Sequence, residues 1–186
     1  MAKKFPWYTG DGDDGTTGLL GEGRVPKHHP QPEAFGDVDE ASSVIGVARA
    51  ATGDAAVADA LLQSQRDLYA VMAELAATGD SQAQFRSIDE ARVQWAGEEA
   101  DRFGAKVVMP REFVCPGDSP AGAALDVARS VVRRSERRVS KLLDDGTVSN
   151  RALLAYLNRL SSLLFVLARY EDARSGDSGV TLAKDD

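Results

Sequence analysis

An arginine-rich stretch with a helical apolar pattern, residues 128–139, constrains this chain more than any other feature. It carries five arginines and one glutamate among small and apolar residues. At about 100° per residue, Arg129, Arg133, Glu136 and Arg137 fall on one face of a helix. Valines, alanines and a leucine supply apolar faces beside it. The pattern therefore predicts a helix that packs into a core on one side and displays arginines on another.

That arginine face has two interpretations. Charge runs on helices are usually solvated faces with intrahelical ion pairs. The alternative is an anion site, because arginine offers a permanently charged planar fork that suits phosphate oxygens, and a glutamate among arginines can orient them or hold a metal ion. The net charge is −7 and the pI is near 4.9, which argues against a nucleic-acid partner. A local positive site on an acidic protein favours a small anion.

Length and composition predict one soluble, cytoplasmic, helical domain. The chain has 186 residues and only 6% aromatic residues, with abundant alanine and leucine, which favours helices over sheets. Cys115 is the one cysteine, so no intrachain disulfide forms. The N-terminus lacks the apolar core of a signal peptide, and no apolar run approaches the ~20 residues of a membrane span. We therefore expect no membrane partner.

Apolar periodicity and capping residues predict five helices joined mostly by short turns, which is an all-α five-helix bundle. The predicted helices cover residues 36–51, residues 54–77, a third from the capping box Ser87–Glu90 to about Phe103, a fourth from Ser119 to about Leu143, and a fifth from Ser149 to about Arg174. The core stripe of the fifth helix comprises Leu153, Leu157, Leu160, Leu164 and Leu167. Residues 106–115 form a connector with room for a short strand. Residues 175–186 are polar and predicted to be disordered.

Residues 7–32 are unusually rich in glycine, aspartate and threonine. Glycines let backbone amides approach a ligand closely, threonine hydroxyls can donate to phosphate, and Lys27 adds a positive charge. The stretch is neither a Walker A loop nor an EF-hand, because the required Gly-Lys-Ser/Thr and ligand spacings are absent. The alternative is a flexible tail, although Leu20 and Val25 could anchor it. The adjacent pair His28 and His29 lacks a spaced third metal ligand and is interpreted as part of a loop.

Three blocks, taken together and in order, resemble the PduO-type family of ATP:corrinoid (ATP:cob(I)alamin) adenosyltransferases. The first block contains Tyr8-Thr9, Gly12–Gly21 and Arg24–Lys27, and the second is Phe35–Glu40. The third runs from Phe113–Gly117 through Ala128-Arg129 and Arg133–Arg138 to Tyr156–Phe165. The similarity spans about residues 8–172, and the conjunction of the blocks is far more specific than any one of them.

The resemblance implies transfer of the 5′-deoxyadenosyl group of ATP to cob(I)alamin, with release of triphosphate. It implies a homotrimer in which residues 1–34 bind ATP against the arginine helix of a neighbouring subunit, while residues 35–174 form the five-helix bundle. Mg²⁺ would be held by the ATP phosphates, with Glu136 as a candidate ligand. Expected partners are a cob(II)alamin reductase and an adenosylcobalamin-dependent mutase.

The same resemblance, carried over residue by residue, assigns the site. The ATP contacts it implies are Thr9, Gly10, Asp11, Gly12, Thr17, Gly18, Lys27, Arg133, Arg134, Glu136, Arg137 and Asn158. The corrinoid contacts it implies are Phe113 under the corrin ring and an intersubunit salt bridge between Asp39 and Arg129. Arg133 and these three residues would carry catalysis. Departures from the family pattern include Gly10-Asp11 before Gly12, Ser42, Asp118 and Ser162.

Two other functions compete with this interpretation. One is a trimeric ATP- and corrinoid-binding carrier that passes the cofactor to a dependent mutase without alkylating it. The other is an ATP-dependent phosphotransferase, which lacks a candidate base beside a phosphate loop. Triphosphate rather than ADP as the product would separate the two enzyme classes.

Overall fold

The computed structural model describes residues 7–176 and 180–184. In chain order, its elements are β1 (Thr16–Gly18), β2 (Arg24–Pro26), α1 (Pro30–Ala51), α2 (Ala55–Ala76), α3 (Ser81–Phe85), α4 (Glu90–Gly104), α5 (Pro120–Asp144) and α6 (Arg151–Arg174). The predicted all-α class is confirmed, because the five long helices α1, α2, α4, α5 and α6 overlap the five predicted helices. The two-stranded hairpin and the short helix α3 were not predicted.

Helix α1 begins earlier than the sequence predicted, at Pro30 rather than at Gly36. The ring nitrogen Nδ1 of His29 accepts a hydrogen bond from the backbone N–H of Gln31 at 3.3 Å and caps the helix. Proline suits this position because the first N–H groups of a helix have no intrahelical partner. A helix start at Gly36 would place Asp39 in the first turn, and that placement is wrong, because Asp39 lies in the middle of α1.

Capping side chains also decide where the later helices begin. The start of α5 is confirmed, since Ser119 Oγ accepts a backbone N–H of the first turn at 2.9 Å. Helix α4 is capped by Asp89 rather than Ser87, through a backbone N–H at 3.1 Å. Helix α6 is capped by Asn150 rather than Ser149, at 3.1 Å. In both corrections the side chain nearer the helix supplies the cap, because it reaches the free N–H groups directly.

The core lies where α1 packs against α2 and α5, and where α6 packs against α5 and α4. The predicted leucine stripe of α6 is fully buried in it, which confirms Leu153, Leu157, Leu160, Leu164 and Leu167. The sequence predicted no apolar run of membrane-spanning length, but among the described residues one helix, α6, is long and apolar enough to cross a membrane, and half of its apolar 18-residue window is buried inside the bundle. Burial in the bundle accounts for its apolar character.

The N-terminal segment is fixed to one end of the bundle. Strands β1 and β2 pair antiparallel, and Leu20 then joins the end of α2: its backbone N–H donates to the carbonyl of Ala76 at 2.8 Å, and its carbonyl accepts from Thr78 at 2.9 Å. Gly21 has a φ of +134°, and a Cβ there would lie 2.4 Å from Thr78 Oγ1. Only glycine allows this close approach, so the flexible-tail interpretation does not describe this segment.

The described part of the C-terminal tail, residues 180–184, lies along the connector before α5. The backbone N–H of Cys115 donates to the carbonyl of Thr181, and that of Ala183 donates to the carbonyl of Phe113, both at 2.8 Å. The Asp118 carboxylate accepts the Thr181 hydroxyl at 2.6 Å and its N–H at 2.9 Å. The structure thus differs from the predicted disordered tail at these residues. Residues 177–179 and 185–186 lie outside the described residues.

Candidate active site

Two of the five arginines on α5 are bound by carboxylates of α1. Arg134 forms an ion pair with Glu40 and lies 3.5 Å from Asp37. Arg138 lies 3.0 Å from Glu33 and 3.5 Å from Asp37. The hydrogen bond with Glu40 is the main reason why the pKa of Arg134 is raised above its usual value. These two arginines are therefore neutralised within the chain.

The remaining face of α5 presents arginines that no carboxylate neutralises. Arg133 and Arg137 are exposed, and Arg137 Nη1 donates to the carbonyl of Arg133 at 3.0 Å. Neither guanidinium forms an ion pair within residues 7–176 and 180–184. Beside them, Glu136 Oε1 accepts a hydrogen bond from Asn158 Nδ2 of α6 at 2.9 Å. The structure thus groups four of the predicted ATP contacts into one cationic surface, which we call the open side of α5: Arg133, Glu136, Arg137 and Asn158.

The glycine-rich segment forms a compact loop around a lysine. The N–H of Asp13 donates to the carbonyl of Gly10 at 3.0 Å, and the N–H of Lys27 donates to that of Gly15 at 2.9 Å. Gly10 and Gly15 both have a φ of +83°, which favours glycine. A Cβ on Gly12 would lie 3.1 Å from Lys27 Nζ, so the ammonium group lies against the loop. The segment contains the other predicted ATP contacts: Thr9, Asp11, Thr17 and Gly18.

Arg24 is the residue of this segment whose role the sequence did not reveal. Its Nε donates to Thr16 Oγ1 at 2.9 Å and its Nη2 to the carbonyl of Asp11 at 2.5 Å. The Thr16 hydroxyl and N–H in turn donate to Asp14, which lowers the pKa of that carboxyl. Arg24 therefore ties β2 to the loop. The Arg24–Lys27 motif was the available sequence signal for a role of Arg24. Contacts between side chains and residues 8 and 13 positions away produce no periodic pattern in the sequence.

No polar contact between described residues links the loop to the open side of α5 within one chain. The loop is fixed near the C-terminal end of α2 through Leu20, whereas Arg133 lies in the middle of α5. In the part of the chain that the structure describes, no hydrogen bond or ion pair joins residues 7–27 to residues 129–137. Among the described residues, the structure therefore shows no direct link between Lys27 of the loop and the arginines of the open side of α5.

Two of the three predicted corrinoid residues line one surface cavity. The cavity has a volume of about 360 Å³, and its lining residues are Arg111, Glu112, Phe113, Val114, Arg129 and Phe165. Phe113 is 88% exposed, so its ring is accessible to a ligand or a partner. The fold therefore brings an exposed aromatic ring and a guanidinium together at one opening.

The third predicted corrinoid residue, Asp39, is not brought to this cavity. It is exposed on α1 and forms no ion pair with Arg129 or with any other residue between positions 7 and 176 or 180 and 184. A larger cavity of about 920 Å³ lies between α4 and α6. It includes Ser162 but none of the predicted contact residues, so volume alone does not identify the site.

The residues present fit a magnesium ion that arrives with a polyphosphate. Among the described residues, no group of three histidine, cysteine, aspartate or glutamate side chains could hold a metal ion. Mg²⁺ is commonly bound by one or two carboxylates together with substrate phosphates. Glu136 uses Oε1 for Asn158, and its Oε2 has no hydrogen bond among the described residues.

The chain is similar to known proteins over nearly its whole length. Residues 7–171 match the family model described as cobalamin adenosyltransferase. A corrinoid adenosyltransferase of Mycobacterium tuberculosis is 39% identical over 166 residues, which cover 87% of this chain and 86% of that protein. The corrinoid adenosyltransferase PduO of Salmonella typhimurium is 34% identical over 174 residues, or 93% of this chain. The chain spans 52% of the length of that second relative.

Solved structures extend the similarity to the three-dimensional fold. One is a variant PduO-type ATP:corrinoid adenosyltransferase from Lactobacillus reuteri complexed with cobalamin and ATP, with a TM-score of 0.89 and 28% identity. The match covers 97% of each chain. Another Lactobacillus reuteri variant, complexed with ATP, has a TM-score of 0.86.

Proposed function

The chain belongs to the cobalamin adenosyltransferase family, and we propose that it transfers the 5′-deoxyadenosyl group of ATP to cob(I)alamin. The cobalt electron pair forms a bond to C5′, the C5′–O bond breaks, and triphosphate leaves with the electrons of that bond. The corrinoid supplies the nucleophile, so no protein side chain has to attack. The protein has to align C5′ with cobalt and stabilise the leaving triphosphate.

The observation that carries this proposal is the open side of α5, where the guanidiniums of Arg133 and Arg137 are exposed and form no ion pair among the described residues. ATP binds between the loop that contains Lys27 in one subunit and the open side of α5 in the next. A homotrimer with three such sites follows from the family resemblance. Further support comes from the position of Lys27 Nζ against the glycine-rich loop and from the absence of any hydrogen bond or ion pair between that loop and the open side of α5 among the described residues.

The charges around the triphosphate have distinct roles in this proposal. Arg133, Arg137 and Lys27 stabilise the negative charge that accumulates as the C5′–O bond breaks. Magnesium, when bound to the phosphates, adds positive charge at the leaving group, and Glu136 supplies a carboxylate oxygen to it while Asn158 orients that carboxylate. Arg134 stays a predicted ATP contact. Its guanidinium is already engaged by Glu40 and Asp37, so ATP would have to share it with α1.

The corrinoid binds at the cavity with Phe113. The exposed ring fills the space under the corrin and displaces the lower axial ligand, which makes the cob(II) state easier to reduce to the cob(I) nucleophile. Arg129 pairs with Asp39 of the neighbouring subunit. Support comes from the exposure of Phe113 and from the absence of any ion pair of Asp39 among the described residues. The reductase, the dependent mutase and the cytoplasmic location remain predictions.

An anaerobic absorbance time course tests the proposed function. The protein is mixed with chemically reduced cob(I)alamin and Mg-ATP, and the phosphate product is identified. We expect the adenosylcobalamin spectrum to grow with an equal amount of triphosphate. ADP as the product would contradict the proposal in favour of a phosphotransferase. Binding of both substrates without a new cobalt–carbon bond would contradict it in favour of a carrier.

A further inference from the structure

A fully buried arginine, Arg169 of α6, lies directly behind the cavity that contains Phe113. Its Nη2 donates to Asp126 Oδ2 at 2.6 Å, and its Nε donates to Asp172 Oδ2 at 3.0 Å. The guanidinium lies 5.2 Å from the ring centre of Phe165, which lines the cavity. A buried charge persists in a fold only when opposite charges and hydrogen bonds compensate its desolvation. Two carboxylates and an aromatic face compensate most of the desolvation of Arg169, and its Nη1 is buried without a hydrogen-bond partner among the described residues.

The charge balance of this cluster involves Arg129. Asp126 and Asp172 are both almost fully buried, so two carboxylates face the single guanidinium of Arg169. Arg129 supplies the second positive charge, because its Nε donates to Asp126 Oδ1 at 2.9 Å. Asp126 thus bridges two arginines, one fully buried and one with a side chain that is 30% exposed. The four groups together are neutral.

The hydrogen bond to Asp126 leaves the two terminal nitrogens of the Arg129 guanidinium available. Only Nε is engaged with Asp126, and neither Nη1 nor Nη2 has a hydrogen bond among the described residues. We propose that Asp126 and Arg169 are positioning residues, which fix Arg129 in the orientation that the corrinoid site requires before the corrinoid binds. This inference rests on the proposed function of the chain. It adds two residues that were not predicted to belong to the site.

The cluster of Arg129, Asp126, Arg169 and Asp172 also contacts other residues near the cavity. Phe165 lies on Arg169, and Asp172 Oδ1 accepts the hydroxyl of Ser119 at 2.7 Å. Ser119 caps α5 and directly follows the connector that carries Phe113. A Cβ on Gly122 would lie 2.0 Å from Asp172 Oδ1, so the helix start is packed tightly on the cluster. Pre-organised groups lose less freedom when a ligand binds, which is what positioning of Arg129 contributes.

Steady-state kinetics of Asp126→Asn test the inference. The substitution keeps the size of the side chain and removes the charge that bridges the arginines. We expect kcat/KM for cob(I)alamin to fall by about tenfold to a hundredfold, as for lost positioning groups, while KM for ATP stays within about twofold of the wild type. Glu99→Gln is the matched control, because it breaks the Arg102–Glu99 pair of α4 with the same spacing. We expect that control to behave as wild type.

A double-mutant cycle separates positioning from a general structural effect. If Asp126 acts through Arg129, then Asp126→Asn adds no further loss of corrinoid kcat/KM to Arg129→Ala. Additive losses, or a wild-type kcat/KM for Asp126→Asn, would overturn the inference while leaving the proposed function intact. If wild-type protein forms no adenosylcobalamin, both are overturned.

The test does not depend on the folding of the buried variant. Circular dichroism shows whether Asp126→Asn folds. If it does not, Asp126→Glu replaces it, since glutamate keeps the negative charge that Arg129 and Arg169 require but moves the carboxylate by one methylene group. We expect the same selective loss of corrinoid kcat/KM in Asp126→Glu. Wild-type kinetics in that variant would overturn the inference.

Discussion

Arginines lie on both sides of α5, but among the described residues they are paired with carboxylates on one side and unpaired on the other. On the side that faces α1, Arg134 and Arg138 are paired with carboxylates of that helix. On the open side, Arg133 and Arg137 are exposed and form no ion pair among the described residues. Five arginines within residues 128–139 therefore do not form one uniform basic patch. The charge that can bind a ligand is the part that the fold itself does not neutralise.

Arg133→Ala removes charge from the open side and has the largest expected effect. We expect single-turnover adenosylcobalamin formation to fall by about a hundredfold or more, because an aligned positive charge at the leaving group is lost. The fold should be retained, since an exposed side chain without an ion pair contributes little to stability. Circular dichroism beside the turnover assay checks both statements. Activity near the wild-type level would show that the open side does not bind the triphosphate.

Phe113→Ala changes the wall of the proposed corrinoid cavity without changing any charge. We expect the corrinoid step to slow by about tenfold to a hundredfold, because the ring no longer fills the space under the corrin. Affinity for ATP, measured by titration calorimetry, should not change. A loss of ATP affinity of similar size would contradict the division of the site into an ATP surface and a corrinoid cavity.

Glu136→Gln changes the carboxylate of the open side and should have a smaller effect. Glutamine can still accept the hydrogen bond from Asn158, but it is a poorer magnesium ligand. We expect the magnesium concentration for half-maximal activity to rise severalfold, with a loss of at most about tenfold at saturating magnesium. An unchanged magnesium titration would rule out Glu136 as a ligand.

Arg138→Ala is the matched change on the side that faces α1 and has the smallest expected effect on catalysis. Its side chain and that of Glu33 are 45% and 40% exposed, so solvent screening limits their pair to less than about 1 kcal/mol. We expect a thermal midpoint lowered by at most about 2–4 °C and activity within about twofold of the wild type. A severe loss of activity would mean that the two sides of α5 do not have separate roles.

The sequence predicted those parts of the structure that depend on local periodicity. The leucine stripe of α6 and the Ser119 cap of α5 depend on residues that are close in sequence, and both are confirmed. The predicted start of α1 was wrong because residues up to Pro32 were assigned to the glycine-rich segment, although proline also suits a first turn of a helix. A start at Gly36 would place Asp39 in the first turn, whereas it lies in the middle of α1.

The parts of the site that the sequence did not predict depend on distant contacts. Arg169 joins Asp126 of α5 and carries no local signal of burial, because an arginine in a helix usually reaches solvent. Nor could the pairing of residues 180–184 with the connector be predicted from a polar, glycine-containing tail. Asp118, a departure from the family pattern, has a structural role there that only the fold reveals. Family resemblance supplied the individual contacts that periodicity could not.

The central claim is that each ATP site is formed by two subunits, and subunit mixing tests it most directly. Lys27→Ala disables the loop, Arg133→Ala disables the open side of α5, and each variant alone should be inactive. When the two are co-expressed in equal amounts, one site in about four combines an intact loop with an intact arginine side. We therefore expect recovery of about a quarter of wild-type adenosylcobalamin formation. No recovery, from mixed oligomers confirmed by differential tags, would contradict the account and place both residues in a site within one chain.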